Sequence, residues 1–233
     1  GGTAALNLIK SSAQAYGDGS YFSSSGKYGW LLHFTSDGKF TASKVSAVNS
    51  YKGDDPDGGD NIWFTVDVKT TDPGTTYSLP SNGFIFVDDT AWVDGVLNGK
   101  VTVGVATGKS IIFNDNITYL KRDGSSSIGL VSGLDIIIPH DVPETLAIDG
   151  ALFTSSGAAK RYYYSGDKKD LLILYGSIAS AGAWTWHYVS QGGSIVSGFR
   201  AVSSTYDSHF ANNPPLGFPH SSVYAISSWE EVH

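Results

Sequence analysis

From residue 83 onward, short apolar runs alternate with turn residues along the chain. Each run has the length of a β-strand, and Gly, Asn, Asp or Ser, which favour turns, lie between the runs. This part of the chain is therefore predicted to be β throughout. The runs occupy residues 84–87, 91–93, 101–103, 111–113, 136–138, 146–153 and 171–178.

Several of these runs repeat at nearly equal spacing. Segments 146–152 and 172–178 align with each other, which places Gly150 opposite Gly176, 26 residues later. Such a repeat of short strands is typical of a β-solenoid, because one coil cannot bury its apolar side chains alone whereas stacked coils share a core. We therefore predict an all-β fold with a parallel β-solenoid between about residues 84 and 200.

The same repeat predicts which side chains face the inside of the coils. The runs that start at Ile111 and Ile136 lie 25 residues apart and are expected in neighbouring coils. A β-sandwich is the alternative, since its strands also recur about every 8–12 residues, but it would place two antiparallel sheets face to face. The expected inward positions are Val93, Leu97, Val101, Ile112, Ile137, Ile148, Leu152, Leu174 and Ile178.

Residues 1–82 are predicted to form a region of their own, with a short helix and irregular β-structure, ahead of the solenoid and tail at 83–233. A turn signal, Gly17-Asp18-Gly19, marks the end of the helix. Two β-prone runs around a Ser-Asp-Gly turn predict a hairpin. The predicted elements are a helix over 3–15, a hairpin formed by 28–34 and 39–45, and a strand over 62–69.

The C-terminal segment is rich first in proline and then in aromatic residues. The prolines in 212–219 cannot donate ladder hydrogen bonds, so this stretch is predicted to be extended without being a strand. Its apolar side chains need cover, and we expect a strap that lies over the aromatic residues at 184–188. The apolar side chains of the strap are Phe218, Tyr224, Ile226 and Trp229.

Composition and charge disfavour several function classes. The chain has 22 acidic and 15 basic residues and a net charge of −7, whereas nucleic-acid binders present a basic face, so DNA is disfavoured as a partner. Without cysteine there is no disulfide, zinc–thiolate site or cysteine nucleophile. No apolar run reaches the length of a membrane-spanning helix, which is about 20 residues. The start at Gly1-Gly2, without Met, is interpreted as a processed or engineered end.

Motifs for catalysis are missing from the sequence. There is no Gly-x-Ser-x-Gly elbow and no His-Glu-x-x-His, and the six His lack metal-ligand spacing, so we predict neither enzyme activity nor a cofactor. A polysaccharide-cleaving β-helix is the enzyme alternative, because clustered carboxylates would serve as its acid and base. Its candidates are Asp88, Asp89, Asp94 and Asp115, for which a role as turn residues is the simpler interpretation.

An acidic loop resembles a Ca²⁺ site in composition. Asp54, Asp55, Asp57 and Asp60 offer hard oxygen ligands among flexible glycines. The loop lacks the spaced bidentate Glu of the helix-loop-helix calcium motif. We interpret it as a solvated turn and predict no metal.

Two aromatic clusters are the candidate binding residues. Trp184, Trp186 and Tyr188 alternate along one predicted strand, so they would form one face that stacks on sugar rings, or is core if the tail covers it. Arg161, Tyr162 and Tyr164 precede the charged stretch Gly-Asp-Lys-Lys-Asp and predict a protruding, exposed hairpin.

Two segments of the repeat region resemble a known family pattern. Residues 92–103 (WVDGVLNGKVTV) and 110–119 (SIIFNDNITY) are similar to x-V-x-G-x-L-N-G-x-V-T-[IV] … I-x-I-x-x-[ND]-I-x-Y. This pattern occurs in the solenoid region of PilX-type minor pilins and related type IV pilus accessory proteins. The tail at 213–219, with Trp229-Glu230, also resembles theirs, so the resemblance covers roughly residues 84–233.

The resemblance implies a non-enzymatic role outside the cell. Members of the family have an N-terminal hydrophobic helix that inserts into the membrane before pilus assembly, and residues 3–15 would be its distal end. We predict a bacterial surface or pilus-associated structural or adhesive protein, with other pilins, surface components or a glycan as partners. The alternatives are a carbohydrate-active β-helix, either binding module or enzyme, and a DNA-uptake pilin.

Overall fold

The computed structural model describes residues 2–219. Within this range the chain forms one α-helix, sixteen β-strands and a short 3-10 helix. The elements are α1 (Gly2–Tyr16), β1 (Tyr21–Phe22), β2 (Gly29–Thr35), β3 (Lys39–Gly53), β4 (Ile62–Thr71), β5 (Thr75–Ser78), β6 (Phe84–Val87), β7 (Ala91–Leu97), β8 (Lys100–Val105), β9 (Ile111–Tyr119), β10 (Ser127–Ser132), β11 (Ile136–Ile138), β12 (Thr145–Thr154), β13 (Ala159–Arg161), β14 (Lys168–Ala179), β15 (His187–Val189), β16 (Ile195–Tyr206) and the 3-10 turn Ser208–Ala211.

Most strands pair in parallel, one above the next. One series runs β6–β8–β10–β12–β14–β16, and a second runs β2–β7–β9 with β11 and β13 following. Between residues 84 and 206, all of which are described, only β15 and β16 pair antiparallel. The face-to-face antiparallel sheets of a β-sandwich therefore do not form there. The prediction of an all-β chain with parallel strands is confirmed.

Glycine spacing follows from the stacking of the strands. Gly150 in β12 pairs with Gly176 in β14, in the register that the sequence repeat predicts. Both have left-handed backbones, with φ of 155° and 145°, and a Cβ on Gly176 would collide with the Gly150 carbonyl. The chain bends at the same place in successive strands, and only Gly fits that bend. The predicted pairing of Ile111 with Ile136 is likewise confirmed.

The N-terminal part contains the predicted helix and hairpin. The helix α1 ends at Tyr16, and the N–H of the following Gly17 donates to Ala13 O. Strand β2 pairs antiparallel with β3 around a turn at Gly38. The predicted strand at 62–69 is β4, which pairs with β3. Because β1 pairs with β6 and β2 with β7, these strands join the same sheet as the repeat region. The domain boundary at residue 82 stays a prediction.

The main core confirms most of the inward positions and corrects two. Ile112 and Ile137 are buried, but in a second cluster on the outside of the stack, because Ile111 and Ile136 take the inward face and neighbouring strand residues point to opposite sides. Phe64 of β4 covers them there. Ile178 is only half-buried against the main core. The inward positions that the structure confirms are Val93, Leu97, Val101, Ile148, Leu152 and Leu174.

The proline-rich part of the tail lies on a different face from the one predicted. Pro215 and Phe218 pack over Gly129 of β10, and the Thr102 hydroxyl donates to Leu216 O at 2.6 Å. This face carries α1 as well, so the strap begins away from residues 184–188. The remaining predicted strap residues, Tyr224, Ile226 and Trp229, lie outside the described residues.

Candidate functional site at the open end of the strand stack

The first end of the stack is closed by the chain's own aromatic side chains. Phe22, Phe40 and Tyr77 pack against one another above the inward residues. The ring centroid of Phe40 lies 6.1 Å from that of Phe22 and 5.7 Å from that of Tyr77. Phe22 and Phe40 are buried and belong to the main core. The interior of the stack is therefore sealed from water at this end.

The last strand, β16, leaves an open edge at the other end. Its first residues pair with β15, and the Phe199 N–H donates to Trp186 O. From Arg200 to Tyr206, β16 pairs with β14 on one side and with no other strand among the described residues. These seven residues are all exposed. Backbone groups along such an edge are free to pair with a further strand, which proteins normally prevent by covering the edge.

An apolar cavity of about 560 Å³ opens beside this edge. Its lining includes Leu152 and Leu174, which are inward residues of β12 and β14, and the half-buried Ile178. Trp184 and Trp186 form a wall. The cavity is therefore a part of the stack interior that is open to solvent, because no described residue covers the last strand, β16. Its size is in the range of small-molecule sites.

The predicted aromatic stripe is divided by the structure. Trp184, 58% exposed, and the half-buried Trp186 line the cavity, but Tyr188 does not. The Tyr188 hydroxyl instead donates to Arg161 O at 2.9 Å, and its ring meets that of Tyr163. The three aromatic side chains therefore do not form one flat platform, because Trp184 and Trp186 face the cavity whereas Tyr188 packs against Tyr163.

The predicted exposed hairpin at Arg161, Tyr162 and Tyr164 is also wrong. All three side chains are buried, Arg161 completely. The reason is that β13 pairs in parallel with β11 inside the stack, while the β3–β4 pair covers it from outside. The Tyr162 ring stacks on Phe64 with 3.6 Å between centroids.

A polar cluster surrounds Arg161 beneath the β3–β4 pair. The guanidinium donates to the Pro139 carbonyl and pairs with Asp167. Next to it, the Asp141 N–H donates to Asp67 Oδ1 at 2.6 Å. Burial raises the pKa of the Asp67 carboxyl to about 6, with the nearby Asp141 charge adding to the rise. The cluster ties β4 to the loop after β11.

Asp141 also connects this cluster to β3. Its carboxylate accepts from the Tyr51 hydroxyl at 2.7 Å and lies 2.8 Å from His140 Nδ1. The bond to Asp141 raises the pKa of Tyr51 to about 12. Although burial opposes it, hydrogen bonding with His140 and Tyr51 keeps the pKa of Asp141 low. Sequence reasoning missed this cluster, because isolated acidic residues such as Asp67 in a strand carry no motif.

The acidic loop binds a buried lysine of its own chain. Lys160 Nζ lies 2.9 Å from Asp55 Oδ1, 2.7 Å from Asp57 Oδ2 and 3.4 Å from Asp135 Oδ2. Asp54 accepts from the Asn61 N–H instead, and Asp60 is exposed. Within residues 2–219 no group of three or more His, Asp or Glu side chains has the arrangement of a metal site.

The carboxylates proposed for polysaccharide cleavage each have separate partners. Asp88 pairs with Lys10, Asp89 with Lys109 and Ser25, and Asp94 with His33 and Asn114. Asp115 bonds to its neighbour Asn116. Asp88 and Asp89 lie in the bend after β6, in agreement with the interpretation as turn residues. Asp94 and Asp115 instead lie within β7 and β9, so for these two that interpretation is wrong.

Comparisons with known proteins leave the site to be interpreted from its own geometry. No helix among the described residues has the length and hydropathy of a membrane span. No protein-family model matches the chain, and no curated protein or solved structure shows significant similarity to it.

Proposed function

We propose that the chain is a non-enzymatic structural or adhesive component of a pilus-associated assembly on a bacterial surface. One observation carries the proposal: the repeat region is a continuous parallel stack whose interior is filled by apolar side chains. Two of its buried acidic side chains, Asp89 and Asp149, accept hydrogen bonds from backbone N–H groups. Such a stack supplies length and stiffness, because each repeat unit rests on the next.

In this proposal the stack is a β-solenoid. The order of segments recurs: β10, β11 and the first half of β12 are followed by the second half of β12, β13 and the first half of β14. Corresponding segments pair in parallel, as Gly129 with Ala151 and Ile136 with Ala159. Inward residues from all these segments meet in one core. These features support coils that wind around a shared interior.

A carbohydrate-binding module is the second candidate function. It is favoured by one observation, the exposed Trp184 beside Trp186 at the mouth of the cavity. Aromatic faces of this kind stack on sugar rings, and the hydroxyls of Ser177 and Ser204 lie in the same lining.

A DNA-uptake role has less support. Of the basic residues around 160–169, Lys160, Arg161 and Lys169 are already paired with carboxylates. Only exposed, unpaired cations add phosphate contacts and a salt-dependent affinity.

Location in the native organism tests the proposed function. An epitope inserted after Gly108, an exposed turn with open space around it, leaves the stack intact. We expect the tagged full-length protein in the filament fraction sheared from intact cells, with a cytosolic enzyme as the marker for lysis. Tagged protein that remains with the cytosolic marker after shearing would contradict the proposal.

A further inference from the structure

We propose that the cavity at the open end of the stack binds the aliphatic chain of a small uncharged amphiphile. This inference goes beyond the proposed function and does not depend on where the protein acts. It rests on the described residues around the cavity: on an aliphatic inner lining, on the lack of an ion pair partner for a charged ligand, and on exposed apolar side chains at the mouth.

The inner lining of the cavity is aliphatic. Ile148, Leu152 and Leu174 are buried members of the main core, and all three line the cavity. Gly150 and Gly176 also belong to the lining and contribute no side chain that would fill the space. An aliphatic chain in this space would remove its own apolar surface and that of the lining from water, which is favourable.

Hydrogen-bonding groups of the lining lie mainly towards solvent. Ser204 and Thr205 are exposed residues of β16, and the Tyr175 hydroxyl already donates to Asp207 at 3.2 Å. A sugar ring inside the cavity would bury hydroxyl groups against leucine and isoleucine side chains, which cannot pair with them, at a cost in free energy. The arrangement instead suits a ligand with an apolar chain inside and one small polar group at the mouth.

The charge around the cavity favours an uncharged ligand. Among the described residues, the lining contains no acidic or basic side chain other than that of the exposed His187. Two arginines of neighbouring segments are already engaged, Arg122 with Asp149 and Arg200 with Asp170. A carboxylate or phosphate headgroup would therefore lack a free arginine or lysine partner in the lining, and the chain as a whole carries a net charge of −7.

Large apolar side chains at the mouth are open to water. Trp184 and Tyr206 are each 58% exposed, and Val202 is 39% exposed. Trp184 precedes β15, whereas Val202 and Tyr206 belong to β16, so two separate segments present apolar surface to the same opening. Exposed apolar surface around a cavity is typical of a site for an apolar ligand.

Titration of the full chain with straight-chain alcohols tests the proposal. Burial of each further CH₂ group strengthens binding about fourfold, so we expect the dissociation constant, measured by calorimetry, to fall by about that factor per carbon from 1-hexanol to 1-octanol. Ser204→Phe should weaken the binding of 1-octanol by about tenfold or more, because its ring takes the space of several CH₂ groups. Ser203→Phe, at the adjacent exposed position of β16 outside the lining, is the matched control and should leave the binding unchanged. Circular dichroism establishes that both variants are folded.

Three results would overturn the proposal. The first is a lack of saturable binding for every alcohol, and saturable binding of cellohexaose in its place would favour the carbohydrate-binding candidate. The second is an affinity that does not change with the length of the alcohol. The third is an equal loss of affinity in Ser203→Phe and Ser204→Phe, which would place the binding outside the cavity. None of these results bears on the filament fractionation, so the two proposals fail separately.

Discussion

Replacing Lys160 by Met is expected to lower the free energy of unfolding by about 3 kcal/mol at neutral pH. The Lys160 side chain is 3% exposed and lies among Asp55, Asp57 and Asp135. Although burial alone would lower the pKa of Lys160, its hydrogen bonds with Asp57 and Asp55 raise it, so the residue is charged. Met fills a similar volume but leaves three carboxylates facing one another without a cation.

The pH dependence separates this charge effect from lost packing. Below about pH 4 carboxylates become protonated, so the loss caused by Lys160→Met should shrink there. Chemical denaturation at pH 7 and pH 4 gives both values. Lys168→Met, an exposed lysine in β14, is the matched control and should change stability by less than about 0.5 kcal/mol. An equal loss at both pH values would contradict the charge assignment.

Asp67→Asn is expected to stabilise the protein at pH 7.5 by roughly 1–3 kcal/mol. The Asp67 carboxyl is 1% exposed, and burial raises its pKa to about 6 from an ordinary 3.8. The folded protein therefore keeps a proton that the unfolded chain releases, so this group's contribution to stability falls as pH rises from about 4 to 6. Asn resembles the protonated acid, and its side-chain oxygen still accepts from the Asp141 N–H.

Thermal melts of both proteins between pH 4 and pH 8 measure this effect. The difference in melting temperature should be small at pH 4, grow through pH 6 and then stay constant. The charged groups near Asp67 are His140, Asp141, Arg161 and Asp167, and all are present in both proteins, so the comparison isolates Asp67. A variant destabilised equally at every pH would contradict the raised pKa of Asp67, because a loss that does not depend on pH comes from packing or hydrogen bonding and not from ionisation.

The sequence repeat predicted the pairing of strands because the cause of the repeat is local. Gly150 and Gly176 recur where paired strands bend at the same place. The need for glycine at that bend arises within each strand, so the sequence of one strand is enough to show it. The hairpin around Gly38 and the end of the helix before Gly17 were predictable for the same reason, because the residues that form each turn are adjacent in sequence.

What the sequence did not predict depends on contacts between distant segments. The charged stretch after Arg161, Tyr162 and Tyr164 predicted that these side chains are exposed. Strand β4, about a hundred residues earlier in the chain, covers them instead. Ile112 lies in a run that is apolar at every position, so alternation could not tell the inner face from the covered outer face. The open end was missed because its wall residues, Val202 and Tyr206, follow the last recognised repeat.

The parallel register of the stack supports both the structural role and the open end, and disulfide formation tests it most directly. In a chain without cysteine, Ile173→Cys with Ser203→Cys joins register partners of β14 and β16, about 5 Å apart. Ile173→Cys with Thr205→Cys is offset by two residues on the same face, about 8 Å apart, beyond the reach of a disulfide. We predict near-complete oxidation of the first pair under mild oxidant and little of the second. Equal or reversed yields would contradict the stack.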